Sequence, residues 1–236
     1  MHPFGQTRSA RFAGHLLQTP DTFVRAPLPG MRGVTAIVHA APALGAKFTQ
    51  YTAEFEPGGT LAPARDQRFI YTLDGFIEAP GFTLHGGEYA WFPPGSDVEL
   101  RAGSAARAAV IEKPYRSLEG VALPAFFKGS ENQVPPAPLN GDTALEVRSL
   151  IPAGAAFDLA VNTMIFQPGA TLPMVEIHVM EHGLLMLAGA GIYRLGDRWY
   201  PVAEGDFIWM APYLPQWFGA LGKTPAKYLI YKDWNR

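Results

Sequence analysis

The side chains best suited to holding a metal lie close together between residues 174 and 182. Glu176, His178 and His182 occupy even positions there, and the odd positions between them are apolar. On a β-strand alternate side chains share a face, so the carboxylate and both imidazoles would point the same way. Burying them together is unfavourable without a partner, and a divalent cation binds both ligand types well. The spacing therefore predicts a metal site on a strand.

Two other interpretations of these residues remain open. The segment from His178 to His182 has the form H-x-x-E-H, an inverted zinc-protease motif that requires a helix. Pro173 just before the segment and Gly183 just after it argue against a helix of useful length. The remaining interpretation is a polar strand face whose groups pair within the protein.

The composition excludes several kinds of site and partner. The 236 residues include no cysteine, which excludes disulfides, thiolate metal sites and cysteine nucleophiles. A net charge of −2 without a basic run gives no electrostatic footprint for nucleic acid or an anionic membrane. The apolar stretch from Gly183 to Tyr193 is too short to span a bilayer, and the N-terminus lacks the apolar core of a signal peptide. We therefore expect a cytoplasmic protein that binds neither nucleic acid nor membrane.

The sequence repeats itself about half a chain apart. Three pairs of segments recur in the same order: 55–61 with 166–172, 87–92 with 205–210, and 110–113 with 229–232. The copies are rich in β-branched and aromatic residues and are bounded by turns with glycine or proline, which is typical of short strands. We predict an all-β chain of two tandem jelly-roll β-barrels. The predicted domains are residues 1–115 and 143–236, joined by a proline-rich connection over residues 116–142.

The candidate ligands form part of a longer pattern. Five residues together resemble the first motif of the cupins, a glycine followed by histidines and a glutamate in a β-barrel: Gly169, Glu176, His178, His182 and Gly189. Gly205, Asp206 and Pro212 resemble the second cupin motif, whose histidine would fall at Gln216. The resemblance implies a bicupin, with Gln216 as the fourth ligand. The set departs from the common one, because a glutamate stands where the first histidine is usual.

The first half of the chain lacks equivalents of these ligands. Alignment on the Pro57-Gly58 repeat puts at the ligand positions Arg65, Gln67 and Tyr71. Alignment on Gly75 puts there Ala62, Ala64 and Arg68, and the second-motif position becomes Val98. Neither set can bind a metal, so we predict that the N-terminal barrel is a scaffold.

With these residues in hand, the chain resembles the (S)-ureidoglycine aminohydrolase family of purine and allantoin breakdown. The resemblance is carried by the unusual Glu/His/His/Gln set, by Gly191-Ile192-Tyr193, and by the ending 231–236. It implies one Mn²⁺ per chain, or another divalent metal, held by Glu176, His178, His182 and Gln216. It also implies release of ammonia from (S)-ureidoglycine to give (S)-ureidoglycolate. The implied substrate contacts are Tyr193, Tyr228 and Lys232.

The catalytic roles follow from the chemistry of that substrate. Its leaving amine must gain a proton and the attacking oxygen must lose one, and Glu176 is the candidate to move it. Lys232 can pair with the substrate carboxylate, and it shares a strand face with Tyr228 four positions earlier. Two other functions remain open: a cupin dioxygenase or isomerase acting on another small acid, and a cupin that binds a small ligand without catalysis.

We also expect a homo-oligomer. The apolar residues that alternate with the candidate ligands would face away from the barrel interior, and they are Val175, Ile177 and Val179. An apolar strip on a surface marks a contact with another barrel or subunit.

Overall fold

A computed structural model of the chain describes residues 6–234, and strands account for most of its regular structure. The strands are β1 (Ala10–Arg11), β2 (His15–Gln18), β3 (Arg25–Ala26), β4 (Met31–Ala40), β5 (Thr49–Leu61), β6 (Gln67–Asp74), β7 (Phe76–Ala79), β8 (Phe82–His85), β9 (Glu88–Phe92), β10 (Leu100–Arg101), β11 (Ala106–Lys113), β12 (Phe127–Ser130), β13 (Ala137–Leu139), β14 (Asp142–Ser149), β15 (Leu159–Phe166), β16 (His182–Ala188), β17 (Ala190–Leu195), β18 (Arg198–Ala203), β19 (Phe207–Met210), β20 (Gln216–Leu221) and β21 (Ala226–Asp233). Three 3-10 helices are Pro20–Thr22, Pro42–Leu44 and Glu131–Gln133.

The prediction of an all-β chain is confirmed. Within residues 6–234 the only helices are those three single turns. No helix in this part of the chain is long and apolar enough to cross a membrane. Asn235 and Arg236, which belong to the ending that carried the family resemblance, lie outside the described residues, as do residues 1–5.

The strands divide into two compact units. Unit 1 contains residues 6–23, 135–149 and 159–234, and unit 2 contains residues 24–134 and 150–158. These ranges differ from the domains predicted as 1–115, 116–142 and 143–236. The difference at the N-terminus has a clear cause, because β2 pairs with β19 and buries Leu17 completely in the core of unit 1. Residues 135–142 of the predicted connection also belong to unit 1, where β13 pairs with β14.

Unit 1 consists of two sheets around one core. Its larger sheet has eight strands in the order β1-β2-β19-β16-β21-β15-β14-β13, and its smaller sheet has the order β18-β17-β20. Aromatic rings fill much of the core, with centroids 4.8 Å apart for Phe166 and Phe218 and 5.5 Å apart for Tyr193 and Phe218. This core holds the strand ends that carry most of the predicted site residues.

Unit 2 is built on one ten-stranded sheet and has its own core. The strand order along its main path is β12-β9-β6-β11-β5-β10-β7-β8; β4 adds to it through β5, and β3 pairs with β4. Its core includes Phe55, Ile70, Phe92 and Val110. A buried ion pair, Lys113 Nζ to Asp158 Oδ2 at 3.1 Å, ties residues 150–158 to this unit.

The sequence repeat corresponds to a repeat in strand pairing. Unit 2 contains the neighbours β9-β6-β11-β5, and unit 1 contains β19-β16-β21-β15 in the same order. Gly75 and Gly189 end the equivalent strands β6 and β16, and each has a φ of 71°. A Cβ would lie 2.7 Å from the Ala105 carbonyl oxygen at Gly75 and 2.5 Å from the Pro225 carbonyl oxygen at Gly189. Both turns therefore require glycine for the same two reasons, left-handed backbone and close approach.

Candidate metal centre

His182 is the first residue of β16 and the most buried of the candidate ligands. Its direct neighbours across the sheet are Met210 of β19 and Lys232 of β21. The residue is 2% exposed, and neither ring nitrogen meets hydrogen-bond geometry with any group of residues 6–234. Burial, with the charges of Lys232 and His178, lowers its pKa to about 3, and the backbone of Glu181 and Tyr231 opposes that shift. The ring is therefore neutral at neutral pH, and within the described residues both nitrogens lack the partner that buried polar atoms normally have.

The segment before His182 is less regular than predicted. We expected one strand over residues 174–182, but only its last residue belongs to β16. Upstream, the segment forms a single bridge: the Glu176 amide donates to the Gln216 carbonyl at 2.8 Å, and the Gln216 amide donates back at 2.9 Å. The residues after Glu176 have no strand to pair with here, because β20 begins at Gln216; on the other side, Thr171 forms a second isolated bridge with Gly219 of β20.

The predicted alternation of faces holds although the strand does not form. Ile177 and Val179 are 60% and 67% exposed, whereas Glu176 and His178 are partly buried. Glu176 Oε2 lies 3.1 Å from His178 Nε2, and the rings of His178 and His182 are 5.1 Å apart. The three predicted side chains are therefore neighbours. In the described part of the chain, however, no three histidine or acidic groups are arranged around one ion position.

Gln216 and Tyr193 complete this cluster from the smaller sheet. Gln216 is 3% exposed and opens β20, and Tyr193 lies on the neighbouring strand β17. The Tyr193 hydroxyl donates to Gln216 Oε1 at 2.9 Å, which fixes the orientation of the amide. A carbonyl oxygen has a second lone pair, so Oε1 can still bind a cation. Burial and the charge of Glu176 raise the pKa of Tyr193, which keeps its hydroxyl protonated.

The last predicted residues, Tyr228 and Lys232, lie on β21. Tyr228 is 2% exposed, and its ring packs against the Phe166 ring at 5.5 Å. Burial and the nearby Tyr193 and Glu176 raise its pKa. Lys232 is directly opposite His182; burial lowers its pKa, and the charge of Glu176 opposes that shift. The structure thus brings an ammonium group, two neutral phenols and a carboxylate to the surroundings of His182.

Comparison with known proteins places the chain in a family. A protein-family model described as a cupin domain matches residues 162–231. The chain is 39% identical over 239 residues to (S)-ureidoglycine aminohydrolase of Arabidopsis thaliana. The aligned region covers 98% of this chain and 80% of that protein. It is 30% identical over 231 residues to (S)-ureidoglycine aminohydrolase of Escherichia coli strain K12, with 93% and 88% covered. The chain belongs to the (S)-ureidoglycine aminohydrolase family.

The fold agrees with this assignment. The crystal structure of the E. coli protein Ylba has a TM-score of 0.85 to this chain and 28% sequence identity. The match covers 98% of this chain and 95% of that one. The predicted cupin fold and the predicted family are therefore both confirmed.

The position in unit 2 that corresponds to His182 carries an ion pair. Arg68 lies opposite Glu112 and Phe92, as His182 lies opposite Lys232 and Met210. The sequence allowed two alignments of the halves, one on Pro57-Gly58 and one on Gly75. The strand pairing of Arg68 agrees with the alignment on Gly75. Arg68 Nε is 2.7 Å from Glu112 Oε1, and its Nη1 donates to the Ala62 carbonyl at 2.9 Å. The guanidinium of Arg68 is thus held by two contacts at the position that corresponds to His182.

Sequence reasoning missed one residue beside the candidate centre. His15 lies on β2 directly opposite Met210, which is itself opposite His182. The only signal was the short alternation of His15-Leu16-Leu17-Gln18, and it does not reveal which sheet the strand joins.

Proposed function

We propose that this protein is an (S)-ureidoglycine aminohydrolase that releases ammonia from (S)-ureidoglycine and forms (S)-ureidoglycolate. We further propose that one Mn²⁺ per chain is held by Glu176, His178, His182 and Gln216. Family membership supports the reaction. The observation that carries the metal site is the buried His182 ring, which lies next to the Glu176–His178 pair and whose two nitrogens make no hydrogen bond to the described residues.

The residues fit a manganese ion in chemical type. Two neutral imidazoles, a carboxylate and an amide oxygen form a nitrogen and oxygen set without thiolate, which suits manganese among divalent metals. Glu176 Oε2 and His178 Nε2 contact each other at 3.1 Å. To bind the same ion, both atoms must give up this contact and turn toward the metal. When bound, the ion would act as a Lewis acid toward the substrate.

The other groups of the cluster suit the substrate. Lys232 supplies a positive charge for the carboxylate, and its burial strengthens that attraction. Tyr193 and Tyr228 stay protonated because burial raises the pKa of each. Their hydroxyls can therefore donate hydrogen bonds to the oxygen atoms of the substrate.

Glu176 is the proposed proton carrier. It takes the proton that water loses when its oxygen bonds to the central carbon of the substrate. It gives a proton to the amine nitrogen when the bond between that nitrogen and the carbon breaks and ammonia leaves; the proposal holds for either order of these two steps. Glu176 is suited to this role because it is only partly buried and lies near the positively charged Lys232.

The reaction is tested by its products. Freshly generated ureidoglycine is mixed with manganese-loaded protein, and ammonia and the configuration of the ureidoglycolate are measured. We expect ammonia and the S product in equal amounts. A chain that binds ureidoglycine without consuming it, or a racemic product at the uncatalysed rate, would contradict the proposal.

Replacing Lys232 by methionine should raise KM about ten- to a hundredfold and leave manganese binding unchanged. Loss of a charge-assisted hydrogen bond costs about 1.5–3 kcal/mol, which gives this range. The measurements are initial rates of ammonia release and metal content after dialysis. Lys223→Met, at an exposed position of the same unit, is the matched control. An unchanged KM in the Lys232 variant would remove this residue from the substrate site.

We also propose the finer architecture, two tandem jelly-roll barrels of the bicupin type. The common order of four strands in the two sheets and the equivalent turns at Gly75 and Gly189 support a duplicated barrel. On this proposal the first barrel is a scaffold, because an arginine ion pair stands at its equivalent of the metal position.

The partner proposed for the exposed apolar strip is a second copy of the chain. Met174, Val175, Ile177 and Val179 are between 37% and 67% exposed. We expect light scattering to give the mass of an oligomer, and Ile177→Lys to lower that mass because a buried ammonium would oppose association. Leu123→Lys, at an exposed apolar residue of unit 2, serves as control. A monomeric unmodified protein would contradict this proposal.

A further inference from the structure

The N-terminal segment of unit 1 is fixed beside the candidate centre. Arg8 donates to both carboxylate oxygens of Asp206, at 2.5 and 2.9 Å, and to the Pro201 carbonyl at 2.9 Å. Asp206 is fully buried, and its Oδ2 also accepts from the Ala203 amide. Such a two-point bond between charged groups holds its partners in a defined orientation. Residues 6–23 are therefore an integral part of this barrel.

Strand pairing aligns His15 with His182 and Lys232 on one face of the sheet. Four strands carry a row of directly opposed residues, in the order His15, Met210, His182 and Lys232. Two positions further along the same strands lies a second row of directly opposed residues. All of its members are buried in the core of unit 1: Leu17, Ile208, Leu184 and Ile230. Residues two apart on a strand point to the same face, so His15 faces the barrel interior.

Distance along this row puts His15 near the centre and outside its ligand set. Neighbouring strands are about 4.8 Å apart, so His15 and His182, separated by one strand, lie roughly 10 Å apart. His15 is 5% exposed, and burial and the charge of Arg198 lower its pKa. It is a neutral polar group at the end of an apolar core.

Tyr200 approaches the same place from the smaller sheet. Its hydroxyl lies 2.8 Å from His15 Nε2. It is directly opposite Tyr193, the residue that donates to Gln216, and its ring packs against the core of unit 1 while remaining partly exposed. The His15–Tyr200 pair therefore adjoins the centre on both sheets, through Met210 on one and Tyr193 on the other.

We propose that His15 and Tyr200 form the end of the substrate site that binds the ureido group. This rests on the proposed function. The substrate's carboxylate and amine are expected at Lys232 and the metal ligands, so its ureido group must extend away from them. That group presents one carbonyl acceptor and several N–H donors, which a neutral imidazole and a phenol can match.

The His15–Tyr200 pair can bind either the N–H groups or the carbonyl oxygen of the ureido group. If the imidazole nitrogen accepts the phenolic hydrogen, the Tyr200 oxygen retains lone pairs for the substrate's N–H groups. If the imidazole donates, the Tyr200 hydroxyl is free to donate to the substrate's carbonyl. In both cases His15 orients the hydroxyl, and Tyr200 makes the contact.

The test compares a ligand that has a ureido group with one that lacks it. Ureidoacetate, which has no leaving amine, and glycolate are titrated calorimetrically into the manganese-loaded protein and into Tyr200→Phe and His15→Gln. Loss of one neutral hydrogen bond should raise the Kd of ureidoacetate about two- to tenfold. The Kd of glycolate should stay within experimental error. Tyr213→Phe and His85→Gln, both at exposed positions, are the matched controls.

The alternative, that the pair only anchors the N-terminal segment, gives a different result. In that case His15→Gln lowers the melting temperature while the ratio of the two dissociation constants is unchanged, which would overturn the inference. Equal weakening of both ligands would overturn it as well. Ureidoacetate binding is measured without turnover, so its outcome is separate from that of the ammonia assay. An unmodified protein that binds ureidoacetate but releases no ammonia would refute the proposed reaction and leave the ureido site standing.

Discussion

Replacing His182 by alanine should abolish manganese binding and ammonia release together. His182 is the most buried of the four proposed ligands, and both of its ring nitrogens lack a hydrogen bond to the part of the chain that the structure describes. Loss of a group that merely supports a ligand already weakens metal binding about ten- to a hundredfold, so loss of the ligand itself should exceed that. Metal content after dialysis and the rate of ammonia release are the measurements.

The control for this variant is His85→Ala, because His85 is exposed and belongs to unit 2. It should retain full metal content and rate. If the His182 variant keeps its metal, the ring is a buried polar residue with another role, and the proposed ligand set is wrong. A melting curve shows whether the variant is folded, and His178→Ala gives a second test at a partly exposed ligand.

Glu176→Gln should lower kcat about a hundred- to ten-thousandfold even when the site is saturated with manganese. That range is typical of losing a general acid or base. The glutamine keeps a ligating oxygen but cannot carry the proton between water and the leaving amine. The variant is assayed across a manganese titration, with occupancy measured at each point.

A ligand-only role for Glu176 gives the opposite result. Activity then follows occupancy and returns to the unmodified rate at high manganese. Glu204→Gln, at an exposed position of the same unit, should leave both metal affinity and rate unchanged. Full recovery of the Glu176 variant would remove the proton-carrying role and leave the metal site intact.

Local patterns in the sequence were enough to predict much of this protein. The repeat predicted similar halves, and the two sheets have the same order of four strands. The alternation around Glu176 and His178 predicted which side chains turn inward, since Ile177 and Val179 are exposed. The repeat is found by comparing segments of the sequence with one another, and the alternation depends only on neighbours two positions apart.

Features that depend on long-range pairing were missed or mistaken. The segment 6–23 joins unit 1 through β2 and β19, strands whose sequences carry no sign of their partner. The predicted strand before His182 is replaced by a bridge at Glu176, because the residues after Glu176 would have to pair with residues before Gln216, where β20 begins. His15 was missed for the same reason. Only the pairing of β2 with β19, and of β19 with β16, brings it near His182.

The central claim is tested most directly by ammonia release from fresh ureidoglycine, with metal-free and manganese-loaded protein compared side by side. Chelator treatment should remove the rate, and added manganese should restore it in proportion to occupancy, up to one ion per chain. The His182→Ala variant should stay inactive under both conditions. A metal-free protein with the full rate would contradict the metal centre, and a fully loaded protein that releases no ammonia above the uncatalysed rate would contradict the proposed function.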